Sequence, residues 1–261
     1  MSAAVADAAV PVLEVEGLRK TYGRRGSGKE VEALRGVSFC VKTGECVGLV
    51  GESGNGKSTI ANLVMRLDEP SEGSIRLCGR DITHAKGKEL REAYRHMQMV
   101  FQSPAESFDP RKTLGEGVTE GLRNAGFGKE EAKERALSLF ESCGLAPNMY
   151  DRHPREVSGG QCQRAAIARA LALDPDLLIC DEATSALDMT VQRQIVELLA
   201  SLREERGLAL LFICHDIALV GSFCDRVLVL KGGLIVEDGP TKELLRHPSH
   251  PYTKELIAAQ L

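Results

Sequence analysis

No apolar stretch of this 261-residue sequence approaches the length needed to cross a bilayer, and the longest clear run, Leu208 to Cys214, suits a buried strand instead. Met1 to Val10 is Ala-rich, but it has no basic start and too short an apolar stretch for a secretion signal, so it is expected to be disordered and cytoplasmic. Long runs of one charge are missing too. With 33 basic against 37 acidic side chains and a net charge of -4, the composition argues against nucleic acid as the main partner. There is no C-x-x-C pair. The eight cysteines, at positions 40, 46, 78, 143, 162, 180, 214 and 224, do not cluster with His, so their spacing supports neither a metal site nor a disulfide framework. Cys180 and Cys214 lie in apolar runs and are expected to act as small buried hydrophobes in a reducing compartment. No internal repeat is visible. What remains is 43% hydrophobic and 27% charged, enough for a substantial core in one domain, or one domain with a lobe.

The chain is organised around Gly51-Glu52-Ser53-Gly54-Asn55-Gly56-Lys57-Ser58-Thr59, which follows the apolar run Cys46 to Val50. Glycines at this spacing let successive backbone N–H groups curl round an anion, and a following helix aims its positive end at the same place. Ile60, Leu63, Val64 and Leu67 recur at i, i+3, i+4 and i+7, so a helix with one buried face is predicted there. In a phosphate-binding loop of this pattern, Lys57 reaches the β- and γ-phosphates of a nucleotide, Ser58 holds Mg²⁺ and Thr59 adds a bond to the α-phosphate.

Val12 to Gly17 and Val31 to Val41 read as strands joined by a polar, glycine-rich loop at residues 24–29. Gly73 to Cys78 and Met97 to Phe101 read as further strands. From Gln102 to Ala172 strand signals nearly vanish, and helices are predicted at Thr113 to Asn124, Lys129 to Cys143 and from Ser158 onward, a helical lobe of about 102–172. The core resumes with the strand Asp176 to Asp181, a long helix from Asp188 as N-cap to Arg206, the strand Leu208 to Cys214 and a hairpin at Arg226 to Glu237. Alternating buried strands and helices imply a mainly parallel sheet covered on both faces, an α/β fold with an N-terminal antiparallel part.

Several segments carry chemistry. Leu177 to Glu182 is an apolar strand ending in two carboxylates. Because ligands of open α/β sheets bind beyond the carboxyl ends of the strands, these acids should face the phosphate loop. Asp181 suits a Mg²⁺ shell and Glu182 suits orienting or deprotonating a water; the plainer reading is a strand exiting into a polar turn. His215 ends another buried strand, as a structural residue or as a hydrogen-bond partner of a γ-phosphate. Tyr22 is a half-buried tyrosine or a ring that stacks on a base. Ser158 and Gln161 in Val157-Ser158-Gly159-Gly160-Gln161 make a capping box. Two consecutive glycines exceed what a cap needs and would bare backbone N–H groups as a second anion site.

The phosphate loop, Gln102, the Ser-Gly-Gly-Gln segment, Asp181-Glu182, Ser185-Ala186-Leu187-Asp188 and His215 resemble, in order and spacing, the ATP-binding-cassette ATPases, over about Leu13 to Glu237. The resemblance implies a RecA-like ATP core with an inserted helical lobe at 11–246, working as a dimer. Each ATP would lie between one subunit's phosphate loop and the other's Ser158 to Gln161 segment. By the same resemblance Tyr22 stacks on adenine, Gln102 links Mg²⁺ to the lobe, and Asp188 contacts the opposite subunit. Val157 stands where the family usually has leucine and Cys162 where a polar residue is commoner; hydrolysis is expected to survive both.

Ser107 to Thr113, Asp151-Arg152-His153-Pro154 and the tail His247-Pro248-Ser249-His250-Pro251-Tyr252-Thr253 are similar to the ATPase subunits of dipeptide, oligopeptide and nickel importers. That likeness implies a peripheral protein on the cytoplasmic face of the cell membrane. Its partners would be a second ATPase subunit (sibling or self), two membrane-spanning permease subunits and an external substrate-binding protein. Without the resemblance, the tail at 247–261 reads as a Pro-interrupted surface extension. A soluble cassette ATPase of translation or DNA repair is the alternative, and a nucleotide sensor without turnover is a third, against which Glu182 argues.

Overall fold

The structure, a computed structural model, describes residues 11–23, 30–185 and 187–259. Its strands in chain order are β1 (Pro11–Gly23), β2 (Glu30–Lys42), β3 (Cys46–Val50), β4 (Glu72–Leu77), β5 (Arg80–Asp81), β6 (Met97–Val100), β7 (Leu177–Asp181), β8 (Ala209–Cys214), β9 (Arg226–Lys231) and β10 (Leu234–Pro240). The helices are α1 (Lys57–Val64), α2 (Gly87–His96), α3 (Pro104–Ser107), α4 (Leu114–Asn124), α5 (Lys129–Ser142), α6 (Gly159–Ala170), α7 (Met189–Arg206), α8 (Ile217–Phe223), α9 (Thr241–Arg246) and α10 (Pro251–Ala258).

Every residue of β3 and β8 is buried. Such runs fit only a sheet covered on both faces. They form the middle of a six-stranded sheet, β10-β9-β3-β8-β7-β6, in which all neighbours are parallel except β9 and β10. Strand alternation sends Leu49, Leu177, Ile179, Leu211 and Ile213 to one face, where they meet Ile60 and Leu63 of α1 and Leu13 and Leu34 of a second sheet. Val50, Leu178, Cys180, Leu210 and Phe212 go to the other face, toward α7, α8, α10 and the helical segment. The second sheet, β2-β1-β4-β5, is antiparallel throughout. The α/β fold with an N-terminal antiparallel part is therefore as predicted.

Between β6 and β7 the chain is helical. Thr113 and Glu116 form a reciprocal capping box at the start of α4. Leu114, Val118 and Leu122 of that helix join Ala132, Ala136 and Phe140 of α5 in one buried cluster. The charged stretch before β6 is helix α2, and α7 begins on Asp188, whose carboxylate accepts from the N–H groups of Thr190 and Val191.

Three expectations need correcting. β1 does not stop at Gly17: that glycine has φ 57 and sits in a register shift between Val15 and Leu18, so it bulges the strand, which continues to Gly23. The tail is no loose extension, because Pro251 sits in the first turn of α10, where its missing N–H costs nothing, and Tyr252, Leu256 and Ile257 are buried. The cysteine spacing concealed a cluster: Cys78, His96 and Asp176 bring their ligand atoms within 4.8 Å of one another, and the His96 ring pairs with Asp176 at 2.7 Å. The loop expected at 24–29, the N-terminal ten residues and Ala186 lie outside the described residues.

Candidate nucleotide site

The loop after β3 needs its glycines. Gly54 and Gly56 have φ 84 and 102, a left-handed backbone that other residues rarely adopt. A Cβ on Gly51 would sit 2.3 Å from the carbonyl oxygen of Leu230. Helix α1 starts without any side-chain cap and without an acidic residue in its first turn. Its leading N–H groups are therefore open to an anion. Lys57 is buried, and its ammonium donates to the carbonyls of Gly51 at 2.7 Å and Glu52 at 3.1 Å. Glu52, Ser53, Gly54 and Ser58 are exposed; Asn55, Gly56 and Thr59 are half-buried.

The parallel sheet brings the carboxyl end of each strand to this edge. Asp181 ends β7 and accepts a hydrogen bond from the Ser58 hydroxyl at 3.2 Å. Burial pushes the Asp181 carboxyl above its ordinary range and Glu182 adds to this, against the Ser58 hydrogen bond and the Lys57 charge. Glu182 has φ 46 and is pinned there by its N–H, which donates to Ile213 at 3.0 Å. A non-glycine residue in that region is strained and marks a place where the surroundings dictate the backbone. Its carboxylate accepts from the Gln102 side-chain amide at 2.9 Å and lies 3.9 Å from the Lys57 ammonium. Direct contacts thus link Lys57, Ser58, Asp181, Glu182 and Gln102. His215 follows β8 at the same edge and is exposed.

Tyr22 is 41% exposed at the end of β1; its hydroxyl donates to Asp68 at 2.9 Å and the Lys20 ammonium lies over its ring at 4.8 Å. The Ser158 to Gln161 segment forms the predicted capping box: the Ser158 oxygen accepts from the Gln161 N–H at 3.2 Å, and the Gln161 side chain accepts from the Ser158 N–H at 2.9 Å. One of its glycines has a packing reason that the sequence concealed. A Cβ on Gly160 would meet Val191 of α7 at 2.6 Å, whereas Gly159 has only ordinary contact with Leu187 at 3.5 Å. Cys162 points into the core, where burial pushes its thiol up to about 11. Gln163 is wholly buried, and neither of its amide atoms has a hydrogen-bond partner among the described residues.

Residues 34–185, more than half of the chain, match the ABC transporter family profile. The chain belongs to the ABC transporter family as an ATPase subunit. A Brucella ovis protein named as a peptide import ATP-binding protein is 46% identical over 250 residues, covering 95% of this chain and 78% of that protein. The oligopeptide transport ATP-binding protein OppF of Salmonella typhimurium is 45% identical over 233 residues, covering 88% of this chain and 70% of OppF. Among solved structures, the ATP-binding cassette MJ0796, a dimer in a post-hydrolysis state bound to ADP and Pi, superposes with a TM-score of 0.80 at 32% identity, covering 88% and 98% of the two chains. No helix among the described residues is long and apolar enough to cross a membrane.

Proposed function

We propose that this chain is the ATP-hydrolysing subunit of a peptide importer, working as one half of an ATPase dimer beneath two permease subunits. One observation carries the reading: Lys57, Ser58, Asp181, Glu182 and Gln102 are joined by direct contacts at one sheet edge, in a chain 45% identical to OppF. The uncapped start of α1 and the N–H groups of the glycine loop take the phosphates of ATP. Lys57 then leaves the carbonyls of Gly51 and Glu52 for the β- and γ-phosphates.

The hydroxyl of Ser58 and the carboxylate of Asp181 are hard oxygen donors that fit Mg²⁺, and an acid pushed up by burial is relieved by a cation. An ion held there would neutralise negative charge on the phosphates. Glu182 accepts the proton of the attacking water or aligns it, and Gln102, bonded to Glu182, carries the state of that carboxylate into the lobe. His215 bonds the γ-phosphate and Tyr22 stacks on adenine. Ser158, Gly159, Gly160, Gln161 and Asp188 complete the site of the partner subunit.

The groove of about 400 Å³ between β6 and the lobe, lined by Phe101, Phe108, Lys112, Glu120 and Asn124, is where a permease segment would dock. Phe101 is 39% exposed beside Gln102, which ties that groove to the catalytic edge. The protein would then be peripheral on the cytoplasmic face, and an external binding protein would deliver the peptide.

The test is ATP hydrolysis by the chain in proteoliposomes with its permease subunits, with and without peptide-loaded binding protein. Hydrolysis stimulated by peptide is the expected result. Stimulation by nickel alone would reassign the cargo. Absence of any ATP hydrolysis would overturn the reading.

A further inference from the structure

The last helix reaches back to the phosphate loop. Glu237 of β10 accepts the N–H groups of Ser249 at 2.7 Å and His250 at 3.1 Å, which fixes the start of α10 against the sheet. The His250 ring nitrogen accepts from the Tyr252 N–H at 3.2 Å and caps the helix. Tyr252 is then 3% exposed, with the Lys231 ammonium 4.2 Å over its ring. Its hydroxyl accepts two hydrogen bonds from the phosphate loop, from the Glu52 backbone N–H at 3.0 Å and from the Asn55 side-chain amide at 3.2 Å. The other end of the Asn55 amide accepts from the Gly232 N–H at 3.0 Å, so the amide is oriented by two partners. Both limbs of the loop therefore meet at one phenol oxygen, 197 and 200 residues away in sequence.

We infer that Tyr252 is a positioning residue of the nucleotide site, so that the C-terminal tail sets ATP affinity. The inference rests on the ATP-binding reading above. Glu52 is gripped twice in the free subunit: its N–H by Tyr252, its carbonyl by Lys57 at 3.1 Å. ATP draws Lys57 to the phosphates and removes the second grip. The Tyr252 hydroxyl engages the Glu52 N–H and the Asn55 side chain, not the uncapped N–H groups at the start of α1 that take the phosphates, so the contact persists. A loop with three glycines in six residues has many alternatives, and ordering it on binding costs affinity. The tail meets that cost during folding. The groups that do the chemistry, Asp181 at the end of β7 and Glu182 just after it, have no contact with this brace among those described.

Tyr252→Phe removes the oxygen and keeps the ring, its burial and its place over Lys231. Losing two part-buried acceptor contacts should raise KM for ATP and the Kd of a fluorescent ATP analogue roughly fivefold or more, with kcat within about twofold and the melting temperature nearly unchanged. Amide hydrogen exchange over residues 51–56 should quicken in the same variant. Unaltered KM, Kd and exchange would overturn the inference. So would equal losses of kcat and thermal stability with KM intact, which mean a structural role alone. If the wild-type chain itself fails to bind the analogue, the ATP-binding reading falls, and that outcome is distinct from a variant that binds as wild type does.

Discussion

Glu182→Gln isolates the chemistry of the site from its architecture. The backbone of Glu182 is held by its N–H bond to Ile213 at 3.0 Å and by the strand before it, so the substitution leaves the side chain in place. A glutamine carbonyl can still accept from Gln102, which now lies 2.9 Å from the Glu182 carboxylate. What disappears is the ability to take a proton. Loss of a general base lowers turnover by about 10² to 10⁴-fold, which is about 3 to 5 kcal/mol of barrier. Ground-state binding moves the other way. Glu182 is only 17% exposed and stands 3.9 Å from Lys57, so removing its negative charge frees Lys57 and eases approach of the γ-phosphate. ATP affinity should be unchanged or tighter. Phosphate release gives kcat and KM, and a fluorescent ATP analogue gives Kd. Turnover within about threefold of wild type would refute the role of Glu182.

Gln102→Ala should reduce peptide-stimulated hydrolysis in the assembled transporter by about fivefold or more beyond any loss in the free subunit, as expected when a contact carries coupling between two sites. Equal losses in both preparations would remove that role. Gln163→Met should leave the melting temperature unchanged or higher, because the buried amide has no partner to lose. A stability loss above about 2 kcal/mol in denaturant unfolding would show that the amide is satisfied in the native protein.

The parallel core was legible because both faces of β3, β7 and β8 are buried and their apolar runs have no polar interruption. The phosphate loop was legible for a different reason: a backbone that must curve round an anion restricts residue type at several fixed positions. Asp181 and Glu182 followed from the sheet rule that strand ends converge. Tyr252 did not. A phenol that accepts from a distant backbone N–H places no constraint on the residues around Glu52, so no local pattern betrays the pairing. Gly160 is ambiguous for a similar reason, since exclusion of a Cβ by Val191 and exposure of N–H groups both call for glycine. The helix of the tail is hidden in the sequence because proline reads as a breaker, although Pro251 stands where a helix begins.

In the proposed dimer two subunits share each ATP, with Lys57 on one side and the Ser158 segment on the other. Lys57→Ala removes the ammonium that meets the phosphates, and Ser158→Arg fills the opposite face at the cost of one helix cap, about 1 kcal/mol. Each variant alone should be inactive. In a dimer of this chain, mixing the two in equal amounts gives mixed dimers that contain one intact composite site, and about a quarter of wild-type turnover should return. With a sibling ATPase as partner, Ser158→Arg should instead abolish nucleotide photolabelling of the sibling and spare labelling at Lys57. Activity that stays absent at every mixing ratio, together with loss of label at Lys57 and not on the sibling, would contradict the shared site.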